Sequence, residues 1–252
     1  MPENGGASGG GGGETGNANV DVFHRDAMSN EGYLYTATDR LSSRMATTRS
    51  LDTIMAMGRF EGRRVLDVGC GDGHFTKQIF DRGRPSEMSG IDGAAGAIEV
   101  ANRTKGDRPI RFDVADAHHV PYPDDSFDLV LVQSILHHDE RPKEMIREAF
   151  RLGREILIHE PNGNNMGLKV IEKTSRYHIE HQEKSYYSWQ IRRWIEECGG
   201  RVTGMKFAGF VPMFAPDWLA RAMKAVEPVV ESVPGLNAFG ASVQVFTAER
   251  KG

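Results

Sequence analysis

A chain that reads Val65-Leu66-Asp67-Val68-Gly69-Cys70-Gly71-Asp72-Gly73 has few folds open to it. An apolar, β-branched run meets an acid, and three glycines follow at alternate positions. Such a run is a buried strand that ends, turns sharply and feeds a helix, here starting near His74. Glycines serve where the backbone takes a positive φ or lies flush against a ligand. The spacing narrows the ligand further. The dinucleotide fingerprint is G-x-G-x-x-G. Here Gly73 comes one residue early and His74 takes the later slot. A phosphate loop needs G-K-[ST], and no such tripeptide follows. A nucleoside ligand without a pyrophosphate is favoured.

Downstream, strand and helix patterns alternate. Strands are predicted at 63–68, 87–91, 109–112, 127–132 and 154–159, with helices near 74–82, 94–104 and 141–150. This alternation makes an α/β fold, a parallel sheet covered on both faces. Right-handed crossovers bring the strand C-termini to one edge, where ligands bind at the switch point beside the first strand. The loops after Asp67, Ile91, Phe112 and Val132 open there. Two final strands, 201–208 and 242–248, are expected as an antiparallel pair at the sheet edge.

Four motifs follow one another in order over roughly residues 50–160. Asp67-Val68-Gly69-Cys70-Gly71-Asp72-Gly73 is the first and Gly90-Ile91-Asp92 the second. Asp113-Val114-Ala115-Asp116-Ala117 comes third, then Pro121 to Val130 leading to Ile135-Leu136-His137-His138. The series resembles the class I S-adenosylmethionine-dependent methyltransferases, in their small-molecule branch. The resemblance implies a doubly wound, Rossmann-like, seven-stranded, mostly parallel sheet with an antiparallel last strand, plus helical cap insertions. It implies S-adenosylmethionine as cofactor, with Asp92 on the ribose hydroxyls and Asp116-Ala117 near the adenine. By the same likeness an N-terminal helix closes over the cofactor, and Arg44 or Arg49 would meet its carboxylate. The family's Leu-x-Pro-Gly-Gly turn before the fifth strand is absent, and Arg151-Leu152-Gly153-Arg154 leads straight in.

Composition excludes several classes. A net charge of −4 and the lack of a basic stripe argue against a nucleic-acid partner. With two cysteines, Cys70 and Cys198, no disulfide framework is indicated, which fits a reducing, cytoplasmic setting. No apolar run approaches a membrane span, and the N-terminus lacks a signal-peptide pattern. Residues 1–19 are rich in glycine and nearly free of apolar side chains, so a disordered tail is expected before a single domain at 20–252. Leu41, Met45, Ile54 and Met57 suggest an amphipathic helix over 39–57, preceded by the aromatic run Tyr33-Leu34-Tyr35.

Segments 163–187 and 211–240 break the regular alternation and are the candidate substrate cap. The second carries a helical stripe, Trp218 to Val233, interrupted by Pro228. It reads as packing onto the core, with an apolar substrate channel or peripheral membrane contact as the alternatives. The first holds His178-x-Glu180-His181-x-Glu183. Without a cysteine pair this is a polar lid rather than a metal site.

The chemistry follows from residue types. Asp67 can brace the glycine loop or meet the cofactor's amino group, and Asp92 can accept from two hydroxyls at once or cap a helix. Gln133 falls beside the sulfonium end. His137 and His138 are candidate bases, His138 the closer match to the family's L-x-H pattern, and Glu160 is a second candidate for substrate contact. The expected function is methyl transfer to a small or lipid-like acceptor, at oxygen. A non-catalytic S-adenosylmethionine-binding protein and an NAD-dependent oxidoreductase are the alternatives. Oligomeric state has no signature in the sequence.

Overall fold

A computed structural model describes residues 39–174, 184–213 and 215–252. The glycine-rich tail, Tyr33 to Tyr35 and His178 to Glu183 fall outside the described residues. The strands are β1 (Arg64–Val68), β2 (Glu87–Asp92), β3 (Ile110–Val114), β4 (Phe127–Gln133), β5 (Gly153–Pro161), β6 (Gly200–Ala208) and β7 (Val243–Arg250). They form one seven-stranded sheet in the order β3-β2-β1-β4-β5-β7-β6. β1 to β5 pair in parallel, whereas β7 runs antiparallel to both β5 and β6. The order reverses between β1 and β4, so the crevice opens beside the glycine turn.

Strand alternation sorts the core into two layers. Val65, Leu129, Leu131, Leu157 and Val245 face α1 (Leu41–Met57), α2 (His74–Gly83) and α3 (Ala95–Thr104). Leu66, Val68, Val130, Val132, Ile156 and Ile158 face α4 (Pro142–Leu152) and α6 (Ser188–Glu197). Between β5 and α6 lies α5 (Met166–Thr174). Between β6 and β7 lie α7 (Asp217–Ser232) and α8 (Leu236–Gly240). These are the helical insertions, and they sit at the edge where β1 to β5 end. The junction at Arg151-Leu152-Gly153 is as tight as the sequence requires, since α4 ends at Leu152 and β5 begins at Gly153.

Three local expectations need correction. The buried face of α1 is Ser42, Ser43, Thr47, Ser50, Leu51, Thr53 and Ile54, while Leu41, Met45 and Met57 are only half-buried. Three of these hydroxyls are satisfied, since Ser42 and Ser43 both donate to the Met213 carbonyl at 2.7 Å and Thr53 donates to Arg49 O, whereas Thr47 Oγ1 is buried without a partner. Pro228 does not interrupt its helix, for α7 runs through it from Asp217 to Ser232. The stripe does not pack inward either. α7 buries Ala220, Glu227 and Val230, and leaves Trp218, Val226 and Val229 exposed, as is Val233 just past its end.

Candidate active site

The glycine turn is shaped by its backbone. Gly69, Gly71 and Gly73 all take positive φ. At Gly69 (φ 79°) a Cβ would also lie 1.9 Å from the Ile135 Cγ2, so the β1 turn and the chain after β4 touch across the glycine. At Gly73 a Cβ would meet the Phe112 ring at 2.8 Å. Asp92, partly buried at the end of β2, accepts from Gly71 N–H at 3.0 Å and from Ala94 N–H at 2.8 Å. One carboxylate therefore holds the glycine turn and the approach to α3 together. Burial pushes its pKa up.

Asp67 is buried and accepts from Thr76 Oγ1 at 2.6 Å. Its other oxygen, Oδ1, is buried without a hydrogen-bond partner, and burial pushes the carboxyl up to about 7. Gln133 lies on the same face of the sheet, two residues beyond the partner of Asp67 in β4. It is buried, and its Oε1 also lacks a partner. Beside it in register is His159 of β5, with Nδ1 3.2 Å from Ser134 Oγ and Nε2 buried and unpartnered. Burial holds His159 neutral by lowering its pKa to about 4. Three orphaned polar atoms thus gather at the ends of β1, β4 and β5. Buried orphans are costly and uncommon, and mark where a ligand belongs.

Glu160, the next residue of β5, points to the opposite face. It is almost fully buried, and Oε1 accepts from Ile135 and Leu136 N–H, both at 2.9 Å. His137 Nδ1–H donates to Oε2 at 2.7 Å. Burial raises Glu160 to about 7. These bonds shape the short 3₁₀ turn Leu136–His138. The chain enters that turn through Ser134, held at φ 53° with its N–H donating to His159 O at 2.8 Å. His138 is only partly buried, and its ring lies 3.8 Å from the buried His137 ring, centroid to centroid.

Asp116 is exposed and holds His118, accepting from its N–H at 2.9 Å and lying 3.0 Å from Nδ1. The other ring nitrogen of His118 is 3.1 Å from Asp139 Oδ1. This histidine ties the loop carrying Asp116 and Ala117 to the end of the 3₁₀ turn. Arg49 points instead to α7, its Nε donating to Glu231 at 2.7 Å with Glu227 at 3.8 Å. Arg44 is exposed. Among the described residues no His, Cys, Asp and Glu cluster could hold a metal ion.

Most of the predicted residues thus fall into two groups at one edge. Asp67, Gly69, Gly71, Gly73, Asp92 and Gln133 gather around the first turn, His137, His138 and Glu160 around the turn after β4, while Asp116 and Ala117 stand apart on the loop after β3, joined to the second group through His118. His159, Ser134, Thr76 and His118 escaped the sequence reading. For His159 a signal exists, a polar residue closing the apolar run Ile156-Leu157-Ile158.

Residues 66–155 match the family model described as a methyltransferase domain. The Bacillus subtilis protein called uncharacterized methyltransferase YcgJ is 35% identical over 102 residues, 38% of this chain and 40% of that protein. A fatty-acid O-methyltransferase of Mycolicibacterium smegmatis is 32% identical over 99 residues, 39% of this chain and 36% of that one. The chain thus spans about two fifths of the length of these curated relatives. A Thermotoga maritima crystal structure described as a SAM-dependent methyltransferase superposes with a TM-score of 0.67 at 14% identity, covering 92% of this chain and 100% of that one. Residues 66–155 are thus similar to a methyltransferase domain, on the fold that the Thermotoga structure of a SAM-dependent methyltransferase shares. The orphaned acceptors Asp67 Oδ1 and Gln133 Oε1 fit the cationic, donor-bearing end of S-adenosylmethionine.

Proposed function

We propose that the protein moves a methyl group from S-adenosylmethionine to the oxygen of a small or lipid-like acceptor. The observation that carries this reading is the pair of buried, unpartnered acceptors, Asp67 Oδ1 and Gln133 Oε1, beside the glycine turn. When bound, the cofactor supplies an activated methyl group on a sulfonium, and the protein's work is binding and alignment. Asp67 and Gln133 hold its ammonium end. Asp92 accepts from the ribose hydroxyls while bracing Gly71. Asp116 and Ala117 border the adenine, and His118 keeps that loop in place.

His138 takes the acceptor's proton. His137 and Glu160 act through it as positioning residues, because both side chains are committed to holding the turn. Oxygen as the receiving atom and a lipid-like acceptor are supported by the fatty-acid O-methyltransferase among the relatives. The test is transfer of a labelled methyl group to a panel of fatty acids, phenols and alcohols, in the unaltered protein and in His138→Ala. Product with an oxygen acceptor is the expected result, with cofactor affinity kept in the variant and kcat falling by about 100-fold or more for a phenol or alcohol, which must lose a proton, but by much less for a fatty acid, which is already a carboxylate. Cofactor binding with no methylated product from any acceptor would leave a non-catalytic binding protein.

A further inference from the structure

Among the described residues, every large apolar side chain left exposed, except Val114, sits on α5, on α7, α8 or the link between them, or on the residues that open α6. Trp218, Val226 and Val229 project from α7, Met166 and Val170 from α5, and Phe239 from α8. Trp218 is 71% exposed and Phe239 64%. These helices form one surface. The Asn237 side chain of α8 donates to Glu231 O of α7, and Asn165, just before α5, donates to Gly240 and Ala241 O. The surface lies at the sheet edge that carries the site.

Charge on the three helices is sorted by direction. Glu227 and Glu231 of α7 turn inward, to Phe210 N–H and to Gly209 N–H and Arg49. Glu172 of α5 turns to Lys169 and Ser185 N–H. Outside remain Lys173 and Arg221, with the half-exposed Lys224 ion-paired to Glu227, against a single exposed acid, Asp217. An outward face of aliphatic and aromatic side chains with basic residues among them matches an anionic lipid surface, where apolar burial and attraction to headgroups act together. The basic bias opposes pairing with a second copy of the same face. No helix among the described residues is long and apolar enough to cross a membrane, so the contact is peripheral.

We propose that the face formed by α5, α7 and α8 docks the protein onto anionic bilayers. This goes beyond the methyl-transfer reading and does not depend on it. The test is co-sedimentation of the full chain with phosphatidylglycerol–phosphatidylcholine vesicles and with pure phosphatidylcholine vesicles. The chain is expected to sediment with the anionic vesicles, less so at high salt. Val229→Asp with Phe239→Asp should lower partitioning at least about tenfold, with thermal unfolding unchanged because both positions are exposed. Arg221→Glu should reduce the preference for anionic over neutral vesicles. Failure to sediment with either vesicle, or undiminished binding by the double variant, would overturn the proposal. So would a concentration-dependent dimer that the double variant abolishes, since the occupant would then be a second copy. S-adenosylhomocysteine affinity, measured on the same samples, tests the methyltransferase reading separately.

Discussion

Glu160 concentrates the chemistry of single residues in this protein. Its buried carboxylate satisfies Ile135 N–H, Leu136 N–H and His137 Nδ1–H. Glu160→Ala strands these donors in the interior and should cost about 3 kcal/mol or more, whereas Glu160→Gln keeps an acceptor for the two backbone groups and should cost less. Urea denaturation of both variants reads the difference, and equal losses would mean that the bonds do not shape the turn. His159 carries a pH signature. Its folded pKa of about 4 lies below the unfolded value near ~6.5, so between these the unfolded chain binds the extra proton. Its contribution to stability is lost as pH falls through that window. Asp67 and Glu160, raised to about 7, act in the opposite sense: the folded state keeps their protons, and stability falls as pH rises from roughly 4 to 7. His159→Gln should therefore be destabilised less than the unaltered protein on going from pH 6.5 to pH 4. Parallel pH curves would remove His159 from the explanation. At this scale the turn after β1 and the positive-φ glycines that make it were legible, because their spacing sits within one short segment. The part Glu160 plays was not, because its three donors come from another strand's loop and only burial reveals the pairing.

Between elements, the contacts are set by what each surface must satisfy. The Gly69 turn and the chain after β4 meet so closely that Gly69→Ala would both clash with Ile135 and force a non-glycine residue to φ 79°. Adding Ile135→Ala relieves the clash but not the backbone strain, so the double variant should recover only part of the loss, leaving about 1 kcal/mol. Full recovery would show that the conformation costs nothing. The pairing of α1 with α7 rests on Arg49 and Glu231, both largely buried side chains. A double-mutant cycle on the two should show a coupling of about 1 kcal/mol or more, and additive losses would mean an idle ion pair. Helix existence was legible from periodicity, as α2, α3 and α4 bear out. The face that α1 buries was not, because Ser42, Ser43 and Thr53 look like solvated residues until the carbonyls they bond are known. Pro228 misled for a related reason. Proline weakens a helix by removing one donor, but α7 is held at both flanks, by Glu227 and by Glu231.

For the whole molecule, strand order does most of the work. β1 to β5 all end at one edge, and the reversal beside β1 opens the crevice where Asp67, Asp92 and Gln133 meet. This level was the most legible, because alternating strand and helix patterns leave few topologies once crossovers are right-handed. The inserted helices were legible only as interruptions. Their outward faces depend on which carboxylates turn inward, and that is a property of the packed molecule. In the proposed function S-adenosylmethionine binds in this crevice, held by Asp92 and the glycine turn. The most direct test of that binding is calorimetric titration of the full chain with S-adenosylhomocysteine, repeated on Asp92→Ala. Micromolar binding by the unaltered protein, lost in a variant that still unfolds cooperatively, is the expected result. No binding by the unaltered protein, or undiminished binding by the variant, would contradict it.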